Sequence, residues 1–483
     1  MKFHLSNFPL FLILFLSPII LFGQIEHDLK SSPLFSGKQF AKPQIVGKHE
    51  NAYIGVNVFF GSGAINDRMT LIKYDENFKE IKSININSFK SGGGYKYNYK
   101  KTVVSDDLAS IYYFKNTATN IQLYSCVVDL VNMEVKGDPK LIYKTKSSVF
   151  GRFNHSCQIK NSPDLKKTLV LNAEEFDGKA GNEPSHKILL KVYDKALKEI
   201  NHHSFNALKG KRIKIKSVSV DNQGNVALSI IHYFKKSSEI HLYLLPKGSG
   251  NLIEKKADID LPRNTWIDTR IESNGELFNC AIRYTASKRA EANGLSNFKL
   301  DPESKKIELL FNSRNFFTDE LGDLKDGFLF IEGIIASSQN SSYFVFNHQL
   351  PVRSGSASDY YRARSYWIFY MTDTGSVTWK KEIPFEYNAY KSDYFRNGKC
   401  KTYSSENNLL LFLNMGAKKG ASLSSAKLIK ADPSGDLKKQ NLFNLKGKDV
   451  LLNSQKTIQI SDKEFILNGN SKSKSRYFIL NLE

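Results

Sequence analysis

At least one lysine or arginine recurs in each of eight polar stretches along the chain: Arg68, Lys115, Lys179, Lys235 with Lys236, Lys288 with Arg289, Arg362 with Arg364, Lys418 with Lys419, and Lys472 with Lys474. Aromatic rings flank some of them. Tyr360, Tyr361, Tyr366 and Trp367 surround the two arginines, and Tyr95, Tyr97 and Tyr99 alternate with Lys96, Lys100 and Lys101 after Gly92-Gly93-Gly94. Arginine reads a carboxylate or sulfate with two hydrogen bonds at once, lysine adds a point charge, and a flat ring stacks on a sugar or a base. Gathered on one surface, Lys235, Lys236, Lys288, Arg289, Tyr361, Arg362, Arg364, Lys418 and Lys419 would form a site for an anionic ligand. The plainer account is that Tyr97, Tyr99, Tyr366 and Trp367 open strands and bury their rings, and that a lysine-rich chain places some cations in loops by composition alone.

Other chemistry finds less support. The stretch Glu174, Glu175, Asp177, Asn182, Glu183, His186 offers oxygen ligands for calcium, but its spacing matches no calcium loop, and a solvated loop is expected. His202-His203 falls on the polar edge of a strand. There is no Gly-x-Ser-x-Gly elbow, no paired-histidine zinc spacing and no phosphate-cradling glycine loop. A pair of carboxylates drawn from distant segments stays open. No catalytic residue, metal ligand or cofactor is therefore assigned.

Two sets of polar turns place these residues. The first comprises Lys48-His49-Glu50-Asn51, Ser105-Asp106-Asp107, Ser162-Pro163-Asp164, Asp221-Asn222-Gln223-Gly224, Ser273-Asn274-Gly275, Lys325-Asp326-Gly327, Ser404-Ser405-Glu406-Asn407 and Ser461-Asp462-Lys463, at intervals of 52 to 59 residues with one of 80. A second set lies between them, including Asp75-Glu76-Asn77, Asp373-Thr374-Gly375 and Asp432-Pro433-Ser434-Gly435. Asp, Pro, Gly and Ser at such points set turn dihedrals or cap the backbone. The runs between are β-like: Ile213 and Ile215 alternate with Lys214 and Lys216, and Val218 and Val220 resume after a phase slip at Ser217, the mark of a bulge.

Each unit thus reads strand A, tight turn, strand B, loop, strand C, tight turn, strand D. In the first, B is 52–60, C is 70–74 and D is 78–86. Repeats of this period predict an all-β chain forming a single β-propeller of four-stranded antiparallel blades. Eight blades are expected, or seven if the irregular sixth or the terminal unit is not a blade. The eighth unit ends before its D strand, and residues 25–40 are free to supply it, closing the ring with strands from both chain ends. The tight turns then share one face and the B–C loops the other, with 61–68, 173–186, 284–296, 336–365 and 416–426 the long ones. No helix or linker is expected; 286–293 reads as one turn within a loop.

Residues 1–23 read as a secretory signal peptide: Lys2 and His4, an apolar run from Phe8 to Phe22 broken by two prolines, and Gly23 before Gln24. That leaves 24–483 as the propeller domain, without a later apolar segment long enough to cross a membrane. The chain is expected in the periplasm or at the cell surface. Its 69 Lys and Arg against 48 Asp and Glu give a formal charge of +21, which favours anionic surfaces. Cys126, Cys157, Cys280 and Cys400 stand singly in apolar runs and read as small buried hydrophobes, a Cys126–Cys157 disulfide being the less favoured alternative.

The segment Thr374-Gly375-Ser376-Val377-Thr378-Trp379 resembles the Thr-Gly-x-x-x-Trp signature of quinoprotein-type propeller repeats, in which the tryptophan docks between blades. It covers one unit of eight, so the resemblance implies a blade boundary and no cofactor. The same stretch is similar to the Asp-box turn of sialidases, but Asp373 and Trp379 stand one residue too far apart. More broadly the chain resembles exported bacterial β-propellers.

These readings point to a non-enzymatic binding or scaffold propeller whose partner is an anionic polysaccharide, an envelope component or a protein, with nucleic acid not expected. The alternative is a polysaccharide hydrolase or lyase on the same scaffold. If the loop cations form the site, replacing Arg362, Arg364, Lys418 and Lys419 together will weaken salt-sensitive retention on an acidic polysaccharide severalfold. Unchanged retention in affinity electrophoresis would place the site elsewhere.

Overall fold

Leu409, Phe412 and their neighbours show why sheets here must be covered twice. Along the strand Asn408–Met415, Leu409, Leu411 and Leu413 pack on one side with Tyr343, Val345 and Ile368, while Leu410 and Phe412 pack on the other with Phe465, Leu467 and Leu480. A strand apolar at both parities buries both faces of its sheet. The described residues hold eight apolar clusters, and each lies between two successive sheets, the last joining Ile466, Tyr477 and Ile479 to Ile45, Tyr53 and Tyr74. Sheets covered on both faces by their neighbours, with the eighth covered by the first, make a closed ring.

The computed structural model describes residues 25, 27–36, 43–59, 68–86, 96–116, 120–146, 153–176, 186–207, 212–234, 237–259, 261, 265–285, 293–322, 328–337, 340–352, 360–390, 399–415, 423–446, 451–470 and 474–483. They form a single propeller of eight blades, each a four-stranded antiparallel sheet in the order A-B-C-D. Inner A strands pack against one another from blade to blade. They are Gln44–His49, Lys96–Ser105, Phe153–Asn161, Arg212–Val220, Trp266–Ser273, Phe328–Ala336, Lys401–Ser405 and, in blade eight, the short Leu451–Leu452 and Ile458–Gln459.

Blade eight is completed as expected from the missing strand. His27–Ser31 pairs with Lys474–Leu482 as its outer strand, with His27 opposite Leu482 and Ser31 opposite Phe478. Ser32 fastens the junction: its N–H donates to the Tyr477 carbonyl at 2.8 Å and its Oγ accepts the Tyr477 N–H at 2.9 Å. Lys48 of blade one and Glu464 of blade eight form an ion pair at 2.8 Å across the seam between those two blades.

The polar turns do what their residue types predict. Asp75 Oδ1 accepts the N–H groups of Asn77 and Lys79, both at 2.8 Å, and Asp432 Oδ1 accepts those of Ser434 and Asp436 at 2.9 and 3.0 Å. The same turns need a left-handed residue: Gly435 supplies φ 95° at no steric cost, whereas Phe78 takes φ 60°. That conformation costs a side-chain-bearing residue about 1–2 kcal/mol, which burial of the Phe78 ring against Tyr53, 4.7 Å away, offsets.

Blade six corrects the turn assignment. Its A–B turn is not Lys325-Asp326-Gly327, which lies outside the described residues, but falls between Phe328–Ala336 and Ser341–Val352, with Asn340 at φ 62°. The stretch 336–365, expected as a long B–C loop, is mostly strand: B runs Ser341–Val352 and C begins at Tyr360. The long interval came from reading a polar stretch of the blade five to six connection as the turn. That connection also holds a short helix, α1 (Phe316–Leu321), anchored by buried Phe316 and Phe317; sequence reading expected none because six residues leave no periodicity. The expected turn at 286–293 falls outside the described residues up to Asn293, which opens a strand. The four cysteines are free thiols, three of them buried, so no disulfide joins Cys126 to Cys157.

Close approach at the narrow end of the ring has one sharp requirement. Gly333 follows a bulge in the inner strand of blade six, where a Cβ would sit 2.4 Å from Thr402 Oγ1 of blade seven. Gly333→Ala is expected to cost about 1–3 kcal/mol by overpacking. Adding Thr402→Ala should restore part of it, a coupling that urea denaturation of the single and double variants will measure.

Candidate functional site

Most of the nominated cations are not in view. Lys235, Lys236, Lys288, Arg289, Lys418 and Lys419 lie outside the described residues. Tyr361 and Arg362 are placed by backbone alone, opposite Pro351 and Leu350, and Arg364 is exposed, the extra residue of a bulge opposite His348 and Gln349. These three stand on the C strand Tyr360–Thr372 rather than in a loop. Buried Tyr366 and half-buried Trp367 lie deeper in the same strand, as the plainer account expected.

What the fold does converge is a second set of charges, on the inner strands. Trp266–Ser273 of blade five alternates: Ile267, Thr269 and Ile271 are buried, while Trp266, Asp268, Arg270 and Glu272 are half-buried. Arg270 Nε and Nη2 both reach Glu272 Oε1 at 2.5 Å. Around this pair stand Lys101 of blade two, Lys160 of blade three and Lys401 of blade seven. The charges of Arg270, Lys160 and Lys401 act on one another. All three stand on inner strands, of blades three, five and seven, which share no seam, so their charges meet across the axis of the ring.

Bulges shape these inner strands. The inner-strand ladder skips one residue between Ile45 and Gly47, Tyr99 and Lys101, Ile215 and Ser217, and Ile331 and Gly333. The third is the slip anticipated at Ser217. An extra residue re-aims the side chains around it. Here Lys216 and Glu332 are extra residues, and each feels Asp268 of blade five.

The cations outnumber their acids. Glu272 is committed to Arg270. Glu332 is buried, accepts from Asn347 Nδ2 at 3.4 Å, and has its carboxyl pushed above the usual range by burial against the pull of Lys399 and Arg270. Lys101 donates to the Ile159 carbonyl at 3.2 Å and Lys216 to the Ile267 carbonyl at 2.6 Å, each bridging to the next blade. Lys160 and Lys401 make no hydrogen bond or ion pair with any described residue, although Lys401 lies over the Tyr403 ring at 5.4 Å. Lys160 is exposed. Burial, then Lys160 and Lys401, press the Lys101 amine down to about 7; burial and Arg270 lower Lys160 and Lys401 in the same sense. Such mutual repulsion is relieved by an anion.

Sequence reading missed these residues. Its signal was present in the alternation of Trp266, Asp268, Arg270 and Glu272 with Ile and Thr, but attention to loops passed over chargeable residues inside strands.

No family model and no curated protein matches the chain. Similar solved structures include the WD40 domain of SCAP from fission yeast, at 7% identity over 94% of each chain and TM-score 0.38. The β-propeller domain of the Trilobed protease from Pyrococcus furiosus follows at 13% identity over 85% of this chain and 97% of that one, TM-score 0.35. An ulvan lyase of polysaccharide lyase family PL25 is similar at 8% identity over 78% and 90%, TM-score 0.41. Likenesses this distant say nothing of activity, and the fold assignment rests on the strand pairing itself.

The Lys101 amine gives a signed expectation. Its folded value of about 7 lies below the ordinary 10.5, so between those values the unfolded chain holds a proton that the folded one has shed. Stability from this group then rises with pH across that window and is lowest below pH 7. Lys101→Met should melt higher than the native protein at pH 6, with a shallower rise in melting temperature from pH 7 to about 9.5, as calorimetry across pH will measure.

Proposed function

We propose that the protein is a non-enzymatic binding or scaffold propeller of the cell envelope or exterior, whose axial channel receives an anionic group of a glycan or protein partner. One observation carries this reading: Lys101, Lys160 and Lys401, from three blades, face one channel, and the carboxylate nearest them is already taken by Arg270. A partner's carboxylate or sulfate would replace channel water on these amines and relieve their repulsion. The high net charge draws such a partner in at low ionic strength. Lysine, a mobile point charge, suits anions of varied geometry better than a fixed arginine fork.

Retention on acidic against neutral polysaccharides tests this. The native protein should be retained by the acidic polymer in a salt-sensitive manner and release no new reducing or unsaturated ends. Lys160→Met with Lys401→Met should weaken retention about tenfold or more, since a hydrogen bond to a charged group contributes about 1.5–3 kcal/mol. Retention unchanged in that pair, or steady product formation abolished by Glu332→Gln, would overturn the proposal.

A further inference from the structure

Arg283 is the most deeply buried cation among the described residues, at 1% exposure. It sits on the B strand of blade five, Phe278–Thr285, between Asp268 and Leu295 in the ladder. The Trp266 ring lies 4.7 Å and the Phe317 ring of α1 5.7 Å from its guanidinium carbon. Aromatic contact covers the face of the guanidinium and leaves hydrogen bonding to its edges. Nη2 makes one long bond, 3.4 Å, to Asn293 Oδ1, while Nε and Nη1 are buried with no partner among the described residues. Asp268 is the acid whose charge reaches Arg283. It forms no ion pair with Arg283, and its Oδ2 accepts the Ile331 N–H at 3.0 Å. Burial accordingly lowers the guanidinium to about 9.

A buried guanidinium with two unsatisfied nitrogens is strongly unfavourable unless an anion completes it. Lys101 and Lys216 each donate to a backbone carbonyl and Arg270 pairs with Glu272, whereas Arg283 has only the long bond to Asn293 among the described residues. We propose that Arg283 is the receptor for a single carboxylate of a small organic acid, held by one of the guanidinium's two-pronged edges, each of which includes one of the free nitrogens. A planar carboxylate matches either edge with two parallel N–H bonds. Trp266 begins the inner strand and is half-buried, so the ligand enters from the loop-side mouth of the channel by displacing that ring. This site is distinct from the lysines of the channel and does not depend on their role.

Displacement of Trp266 makes the site readable. Titrating the full chain with sodium glucuronate and with acetate at constant ionic strength should change tryptophan emission saturably and raise the melting temperature. Glucose and sodium chloride should do neither. Arg283→Met should abolish the emission change while melting no lower than the ligand-free native protein, because it removes an unpaired buried charge. Arg283→Lys, which keeps charge and loses the fork, should weaken binding at least tenfold. Lys160→Met with Lys401→Met, which removes the channel amines, should keep the saturable emission change that Arg283→Met abolishes, separating this site from the channel lysines. Should Arg283→Met not fold, the native titration still decides: no shift in emission or melting temperature up to about 100 mM carboxylate overturns the proposal. An undiminished response in Arg283→Met, or an equal response to sulfate, overturns it as well.

Discussion

Each sheet of this protein is apolar on both faces, and that constraint governs everything else. Val226, Leu228 and Ile230 pack toward blade three while Ala227 and Ile231 pack toward blade five, so no blade is covered until it has two neighbours. A row of such sheets satisfies its interior members and leaves two exposed ends; a ring leaves none. The pairing of His27–Ser31 with Lys474–Leu482 is the point at which the constraint is met. It joins residues from opposite ends of the chain and covers what would otherwise be an open strand edge. Trp379 reinforces a later seam, its Nε1–H donating to the Pro433 carbonyl at 2.9 Å and its ring lying against Gly435.

Ring closure also forces the inner strands together, and much of the lysine surplus is spent on holding them and their outer neighbours in place. Lys73 donates to the Leu130 carbonyl at 3.0 Å, Lys140 to that of Leu197 at 2.7 Å, and Lys255 to that of Ile307 at 2.8 Å, each from one blade to the next. A lysine can reach across a seam because its stem packs on apolar surface while its amine finds a carbonyl. These amines have partners. Lys160 and Lys401 differ by making no hydrogen bond or ion pair with any described residue, and their position where separate blades meet across the axis turns an excess of charge into a local one.

Arg283 shows the same economy failing at one point. The blade five to six seam is filled by aromatic rings, Phe316, Phe317, Phe346 and Phe369, packed largely edge to face or tilted. That packing excludes water from the guanidinium without supplying an acid. Asp268, the nearest candidate, is drawn instead to the backbone of the next blade. The connection from blade five to blade six carries α1, whose Phe316 and Phe317 belong to this aromatic core.

Turn chemistry and two-residue alternation were legible in the residues alone, because Asp75, Asp194 and Asp432 cap their own turns and the contacts involved span only a few positions. From these follow the strand order within a blade, the number of blades and the need for a strand from the amino-terminal segment. Blade six was misplaced because a polar connection and a true turn share a composition, and only strand pairing separates Lys325-Asp326-Gly327 from the turn ending at Asn340. The channel was not legible at all. Lys101, Lys160, Arg270 and Lys401 lie far apart in sequence, and nothing local distinguishes them from surface lysines and arginines. Their common environment arises when eight double-covered sheets close on an axis, a long-range packing event that no short window of residues encodes.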